Sequence, residues 1–292
     1  MEESPRFAVN HIAAPRQSFA GLARLARSLG MTEVEIRNDL PGVAIADGTP
    51  AEQVVAQASA AEVSILSINA LQRFNAWDDR RAQEAAQLAA YAAGCGAAAV
   101  VLCPVNGFEN WPEGWRSDVR RQDDLRLALR ELAPILSSHG VTGLIEPLGF
   151  EVSSLRFKRD AIEAIDATAS AGATFGVLHD TFHHFIAEEA DTFPERTGLV
   201  HISGVEDRSL SRGGMLDGHR VLVGTGDVMG NVEQIRLLSQ SGYAGPFSFE
   251  PFADSVHAIS DLAPALRESM AAIRASLVRQ NGAATEPEVV RG

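Results

Sequence analysis

VTGLIEPLG (141–149) and TFGVLHD (174–180) bound the stretch that decides the fold. Each is a short apolar, β-branched run that ends in an acidic residue. A helical pattern from Arg159 to Ala171 lies between them. Strand, helix and strand at this spacing make a βαβ unit, and such units build parallel sheets.

The same alternation continues in both directions. Towards the N-terminus lie AAAVVLCPVN (97–106), VSILSINAL (63–71), EVEIRND (33–39) and FAVNHIA (7–13); towards the C-terminus lie LVHISGV (199–205) and GPFSFEPF (245–252). Helices are expected from Ser18 to Gly30, from near Pro50, from Asp78 to Gly94, from Asp118 to His139, from Asn231 to Ser241 and from Asp261 to Val278. A weak, short helical signal falls around Ala187 to Gly198. Leu125, Leu129, Leu132 and Leu136 mark the apolar face of the fourth helix, and Pro134 predicts a kink or break in it.

Eight strand–helix units, with no gap for another domain, predict a single (β/α)₈ TIM barrel over residues 1–280. The polar, aperiodic stretch 281–292 is expected to be a flexible tail. An open doubly wound sheet that binds a dinucleotide would need a glycine-rich turn after the first strand. This chain has NHIAAPRQS (10–18) there, without glycine.

The chain has 292 residues and a formal net charge of −13. An acidic surface repels phosphate backbones and anionic lipid, which excludes nucleic acid and membranes as partners. MEESPRFAVN (1–10) lacks the cationic start and apolar run of a signal peptide, and no apolar stretch approaches the ~20 residues of a membrane span, so a cytoplasmic protein is expected. The two cysteines, Cys95 and Cys103, are read as buried free thiols.

Chemistry in such a barrel sits where the strands end at their C-termini. Four residues stand out there: Glu146 in LIEPLGF, Asp180 in VLHDTFHHF, His201 in LVHISG and Glu250 in FSFEPF. Three carboxylates around one volume would repel each other, and a divalent cation removes that repulsion. The oxygen-rich set with one nitrogen suits a single Mn²⁺, Co²⁺, Mg²⁺ or Zn²⁺, and the ligands alone do not choose among them. Asn10, His11, Arg37 and Asn69 end the first three strands and are candidate pocket walls. Trp77, Phe108, Trp111 and Trp115 fall in loops, where they suggest a stacking wall over a sugar ring or a subunit contact. GTGD (224–227) lacks the lysine of a phosphate loop and reads as a turn.

IEPLG, HDTFHH, HISG and FSFEPF together resemble the xylose-isomerase-like barrel superfamily, and most closely its inosose (2-keto-myo-inositol) isomerases and tagatose/psicose 3-epimerases. The resemblance implies one metal held by Glu146, Asp180, His201 and Glu250. It also implies an acid/base role for Glu146 and Glu250, with His183 and Arg208 as substrate-binding residues. The epimerases carry a further glutamate six residues after the strand-five one. Here Glu151 is five residues on and position 152 is valine, which favours the inosose branch. The expected activity is isomerisation of a small keto-polyol through an enediolate, in inositol catabolism. His11, Asn69 and Trp111 are further substrate contacts in this reading, and a homodimer or homotetramer is the expected assembly. The alternatives are a ketose 3-epimerase or a hydroxypyruvate-type isomerase. An endonuclease of abasic DNA needs more histidines at strand ends and a basic face. A non-catalytic barrel has no need of two buried glutamates.

Overall fold

The computed structural model describes residues 4–169 and 174–283. Its strands are β1 (Phe7–Asn10), β2 (Glu33–Arg37), β3 (Ser64–Gln72), β4 (Ala99–Cys103), β5 (Thr142–Ile145), β6 (Phe175–Asp180), β7 (Thr197–Ile202) and β8 (Phe247–Phe249). They pair in parallel in chain order, and β8 closes on β1. The helices are α1 (Phe19–Ser28), α2 (Ala51–Ala60), α3 (Asp79–Cys95), α4 (Asp118–His139), α5 (Lys158–Ala167), α6 (Thr181–Ala187), α7 (Asn231–Gln240), α8 (Asp254–His257) and α9 (Ala263–Ala283). The molecule is the (β/α)₈ TIM barrel that the alternation predicts.

Side chains alternate across a strand, so each strand feeds two cores. Val34, Ile36, Val100, Leu102, Ile145, Val177, Val200 and Phe249 pack outward against the helices in one large cluster. Ala70, Ala99, Val101, Cys103, Leu144, Leu178 and Leu199 fill the lumen in a second cluster. Two residues beyond Leu144, Leu178 and Leu199 stand Glu146, Asp180 and His201. The period of two therefore stacks polar groups directly above the apolar plug.

Helix starts follow capping chemistry. Ser18 accepts from Gly21 N at α1, Asp78 from Arg81 N at α3 and Ser117 from Arg120 N at α4. Of the kink or break expected at Pro134, the break is absent: α4 runs from Asp118 to His139. Its Leu125, Leu129, Leu132 and Leu136 are all buried. At about 1.5–3 kcal/mol each, they outweigh the ~3 kcal/mol that an interior proline costs. The weak helix expected near 187–198 lies earlier. α6 starts directly after β6, because Asp180 Oδ1 accepts from Phe182 N and His183 N. A 3₁₀ turn at Pro194–Arg196 is what remains of the expected signal.

α5 ends at Ala167, and residues 170–171 of its expected span lie outside the described residues. α9 extends to Ala283, into the expected tail; residues 284–292 lie outside the described residues. Among the described residues, no helix is long and apolar enough to cross a membrane.

Candidate metal centre

Glu146, Asp180, His201 and Glu250 converge on the lumen. One ligand atom from each lies within 4.8 Å of all the others, and all four residues are buried. Register brings this about. Asp180 is level with His201 across β6 and β7, Glu146 N donates to Leu102 O, and Glu250 N donates to Ile202 O. His201 Nδ1 lies 3.0 Å from Glu250 Oε2, 3.5 Å from Glu146 Oε1 and 3.9 Å from Asp180 Oδ2. None of these approaches has hydrogen-bond geometry, so Nδ1 is a buried nitrogen without a partner. An unpartnered imidazole nitrogen facing three carboxylates fits a divalent cation.

The other ring nitrogen is fixed from behind. His201 Nε2 lies 3.0 Å from Glu35 Oε2, which also accepts from Ser67 Oγ at 2.6 Å and Asn69 Nδ2 at 2.9 Å. Glu35 is fully buried. A carboxylate behind a histidine fixes its tautomer and raises the basicity of the facing nitrogen. Burial alone would lower the His201 pKa, but Glu250 and Glu35 outweigh it and hold the imidazole well above its usual range. Burial alone would likewise raise the Glu35 carboxyl, and the His201 imidazole brings it down. A proton on Nδ1 and a cation thus compete for one lone pair.

Two arginines border the cluster. Arg220 Nη2 donates to Asp180 Oδ2 at 2.5 Å and Glu250 Oε2 at 2.9 Å, while its Nε donates to Ser203 Oγ and its Nη1 to Asp217 Oδ1. Its guanidinium lies over the rings of Phe182 and Phe252. Arg37 forks onto Asp39 with two bonds of 2.8 Å and gives Nη1 to Glu250 Oε1 at 3.0 Å. Asn10 Nδ2 reaches the same oxygen at 3.3 Å. Burial alone would raise the Glu250 carboxyl; His201, Arg220 and Arg37 hold it below the usual carboxylate range. Cys103 Sγ stands 3.4 Å from Glu146 Oε2, and burial next to that carboxylate pushes its thiol up. Both cysteines are free and buried.

The remaining candidates divide. His183 is buried one turn into α6, with its ring against Phe150 and Phe182 and its Nδ1 unpartnered. Asn69 touches Glu35, behind the metal ligands. His11 is turned to the chain, with Nε2 2.9 Å from Gln17 O; its neighbour Asn10 is the residue that meets Glu250. Arg208 is exposed. The β7–α7 loop runs outward past it and returns to pair Val221 with Gly204, so Arg220 is the arginine that arrives at the cluster.

Trp111 also stands apart. Its Nε1 donates to Val152 O, and its ring is held by Phe108, Arg116 and Arg121. It lines an outer cleft of about 410 Å³ with Arg121, Ser153 and Phe157, and none of the four ligands lines that cleft. Trp115 is buried against Asp124, and with Trp77 it lines a further cleft to which none of the four clustered residues contributes. Sequence reasoning missed Glu35 and Arg220. The signal for Glu35 was its place two residues before Arg37, between Val34 and Ile36, which puts a carboxylate in the lumen. Arg220 carried no local signal, because only the returning loop brings it in.

Comparison with known proteins gives the family. The model of the xylose isomerase-like TIM barrel family matches residues 23–276. The chain belongs to this family. A xylose isomerase domain-containing protein from Salmonella typhimurium LT2 is a similar family structure, 32% identical, with a TM-score of 0.83 over 95% of this chain and 99% of that one. The IolI protein, solved with a bound zinc atom, is 18% identical with a TM-score of 0.78, covering 94% and 98%. An L-ribulose 3-epimerase is 18% identical with a TM-score of 0.71, covering 98% and 100%. The last two likenesses concern the fold. A comparison with curated proteins gave no match. The buried four-residue cluster is the part of this family member that could hold a metal ion.

Proposed function

We propose that this family member is a cytoplasmic, metal-dependent isomerase of a small keto-polyol of the 2-keto-myo-inositol type, working by proton transfer in inositol catabolism. The observation that carries the reading is the pair Glu146 and Glu250. They come from β5 and β8, and both approach His201 Nδ1, at 3.5 and 3.0 Å. Glu146, Asp180, His201 and Glu250 would hold a divalent cation there, which would supply polarisation of a ketone oxygen and so acidify the adjacent C–H.

The protein's own groups do the rest. One of Glu146 and Glu250 removes the proton from the carbon next to the ketone, and a proton returns to the neighbouring carbon; substrate stereochemistry decides which glutamate acts first. Arg220, locked by Ser203 and Asp217, gives Nη2 to Asp180 and Glu250 and so holds both carboxylates in place beside the reacting carbon. His183 holds a substrate hydroxyl. Glu35 keeps the His201 tautomer fixed throughout. The lumen below is apolar and excludes bulk water from the reacting carbon.

The test is to incubate Mn²⁺-loaded protein with inososes and with free ketoses in D₂O and to follow deuterium entering the carbon next to the ketone. Exchange with an inosose but not with tagatose or fructose supports the reading. Exchange with the free ketoses instead supports a 3-epimerase. Absence of exchange with every substrate overturns proton-transfer chemistry.

A further inference from the structure

Around α6 lies a chain of buried and half-buried polar groups that the proposed reaction does not use. Lys158 and Glu189 are 3% and 8% exposed and form an ion pair of 2.9 Å. Glu189, just past the end of α6, also caps α5: Oε2 accepts from Lys158 N at 3.1 Å and Oε1 from Arg159 N at 3.0 Å. Lys158 Nζ donates onward to His184 Nδ1, in the middle of α6, at 2.8 Å. The His184 ring packs on His179 of β6 with centroids 4.6 Å apart. His179 Nε2 is 2.9 Å from Gln234 Oε1 of α7, and Gln234 Nε2 donates to Thr181 O, at the start of α6.

A buried ion pair is a poor way to gain stability, because desolvation offsets most of the attraction. Its value here lies in where it holds. The chain grips α6 at its start through Thr181, in its middle through His184 and at its end through Glu189. The same short helix is capped by Asp180, whose Oδ1 accepts from Phe182 N and His183 N while Oδ2 faces the cluster. Any shift of α6 therefore turns the Asp180 carboxylate and carries His183 with it.

We infer that Lys158, Glu189 and His184 are positioning residues that set the orientation of Asp180 and His183 through α6. This rests on the metal reading proposed above, and the test separates the two. His184→Phe keeps the buried charges paired and the ring stack in place but removes the Lys158 contact to α6. Lys158→Met removes the cation itself. Mn²⁺ affinity by calorimetry is read together with hydrogen exchange at the Phe182 and His183 amides, which reports the same turn without metal.

Both variants should bind Mn²⁺ about tenfold more weakly than the wild type, the lower end of the effect of removing a supporting contact. Both should also lose protection at the two amides, with the circular dichroism of His184→Phe unchanged. A folded His184→Phe with wild-type affinity and protection overturns the inference, whatever Lys158→Met does. If the wild type takes up no Mn²⁺, the metal reading fails, and the two amides still decide the positioning role.

Discussion

Replacing Glu35 by glutamine probes the link between His201 and the cluster. Three donors converge on Glu35 Oε2: Ser67 Oγ, Asn69 Nδ2 and His201 Nε2. Glu35 Oε1 is buried without a partner. In Glu35→Gln the amide oxygen can take the Oε2 position and keep all three donors, which leaves the NH₂ where Oε1 stood. That orphaned amide costs about 1–3 kcal/mol of stability. Alanine instead would strand three buried donors at about 1–3 kcal/mol each, a sum comparable with the whole stability of a domain, so glutamine is the usable variant.

The charge behind His201 is lost in either case. Removing such a supporting carboxylate weakens metal binding about 10–100-fold, or roughly 1.4–2.7 kcal/mol. Calorimetric titration of metal-free protein with Mn²⁺ reads this directly, and thermal unfolding of the same samples reads the stability term. A folded Glu35→Gln whose Kd stays within about twofold of wild type would refute the claim that Glu35 tunes His201 as a ligand.

Other perturbations have defined outcomes. Glu250→Gln should lower deuterium exchange into substrate by about 10²–10⁴-fold, and wild-type exchange would remove its proton-transfer role. Arg220→Met should lower kcat more than it raises KM, because Nη2 orients Glu250, which moves a proton during the reaction; an effect on KM alone would make it a ground-state contact. Trp111→Ala should leave kcat and KM within about twofold of wild type, since its ring faces a separate cleft, and a tenfold rise in KM would place it at the substrate. Burial, and after it Lys158, lowers the His184 imidazole from 6.5 to about 3. The unfolded chain takes up that proton first, so this contribution to stability is complete above pH 6.5 and is lost as pH falls towards 3. Between pH 7 and pH 5 it should remove about 2 kcal/mol, and urea unfolding at the two pH values should show His184→Phe less sensitive by that amount.

Most of the architecture was legible because barrel physics writes itself into periodicity. Strands covered on both faces read as apolar runs, and helices between them declare their caps, as Ser18 and Asp78 do. The convergence of Glu146, Asp180, His201 and Glu250 was legible for a related reason: acidic and imidazole side chains at the ends of successive apolar strands of a barrel meet in one volume. What failed was geometry that only the closed chain supplies. Arg208 and Arg220 sit in one irregular loop, and nothing local says which of them folds back; the Gly204–Val221 bridge does. Trp111 looked like a pocket wall because loop aromatics often are, but its indole N–H is taken by Val152 O. Pro134 looked like a break, and the leucine face of α4 overrode it.

The central claim is that one divalent cation is held by Glu146, Asp180, His201 and Glu250. Metal-free protein titrated with Mn²⁺, with the free ion followed by electron paramagnetic resonance, tests it most directly. One Mn²⁺ should bind per wild-type chain, and none in folded His201→Asn at the same concentrations. Equal uptake by the two proteins, or no uptake by the wild type, would contradict the account.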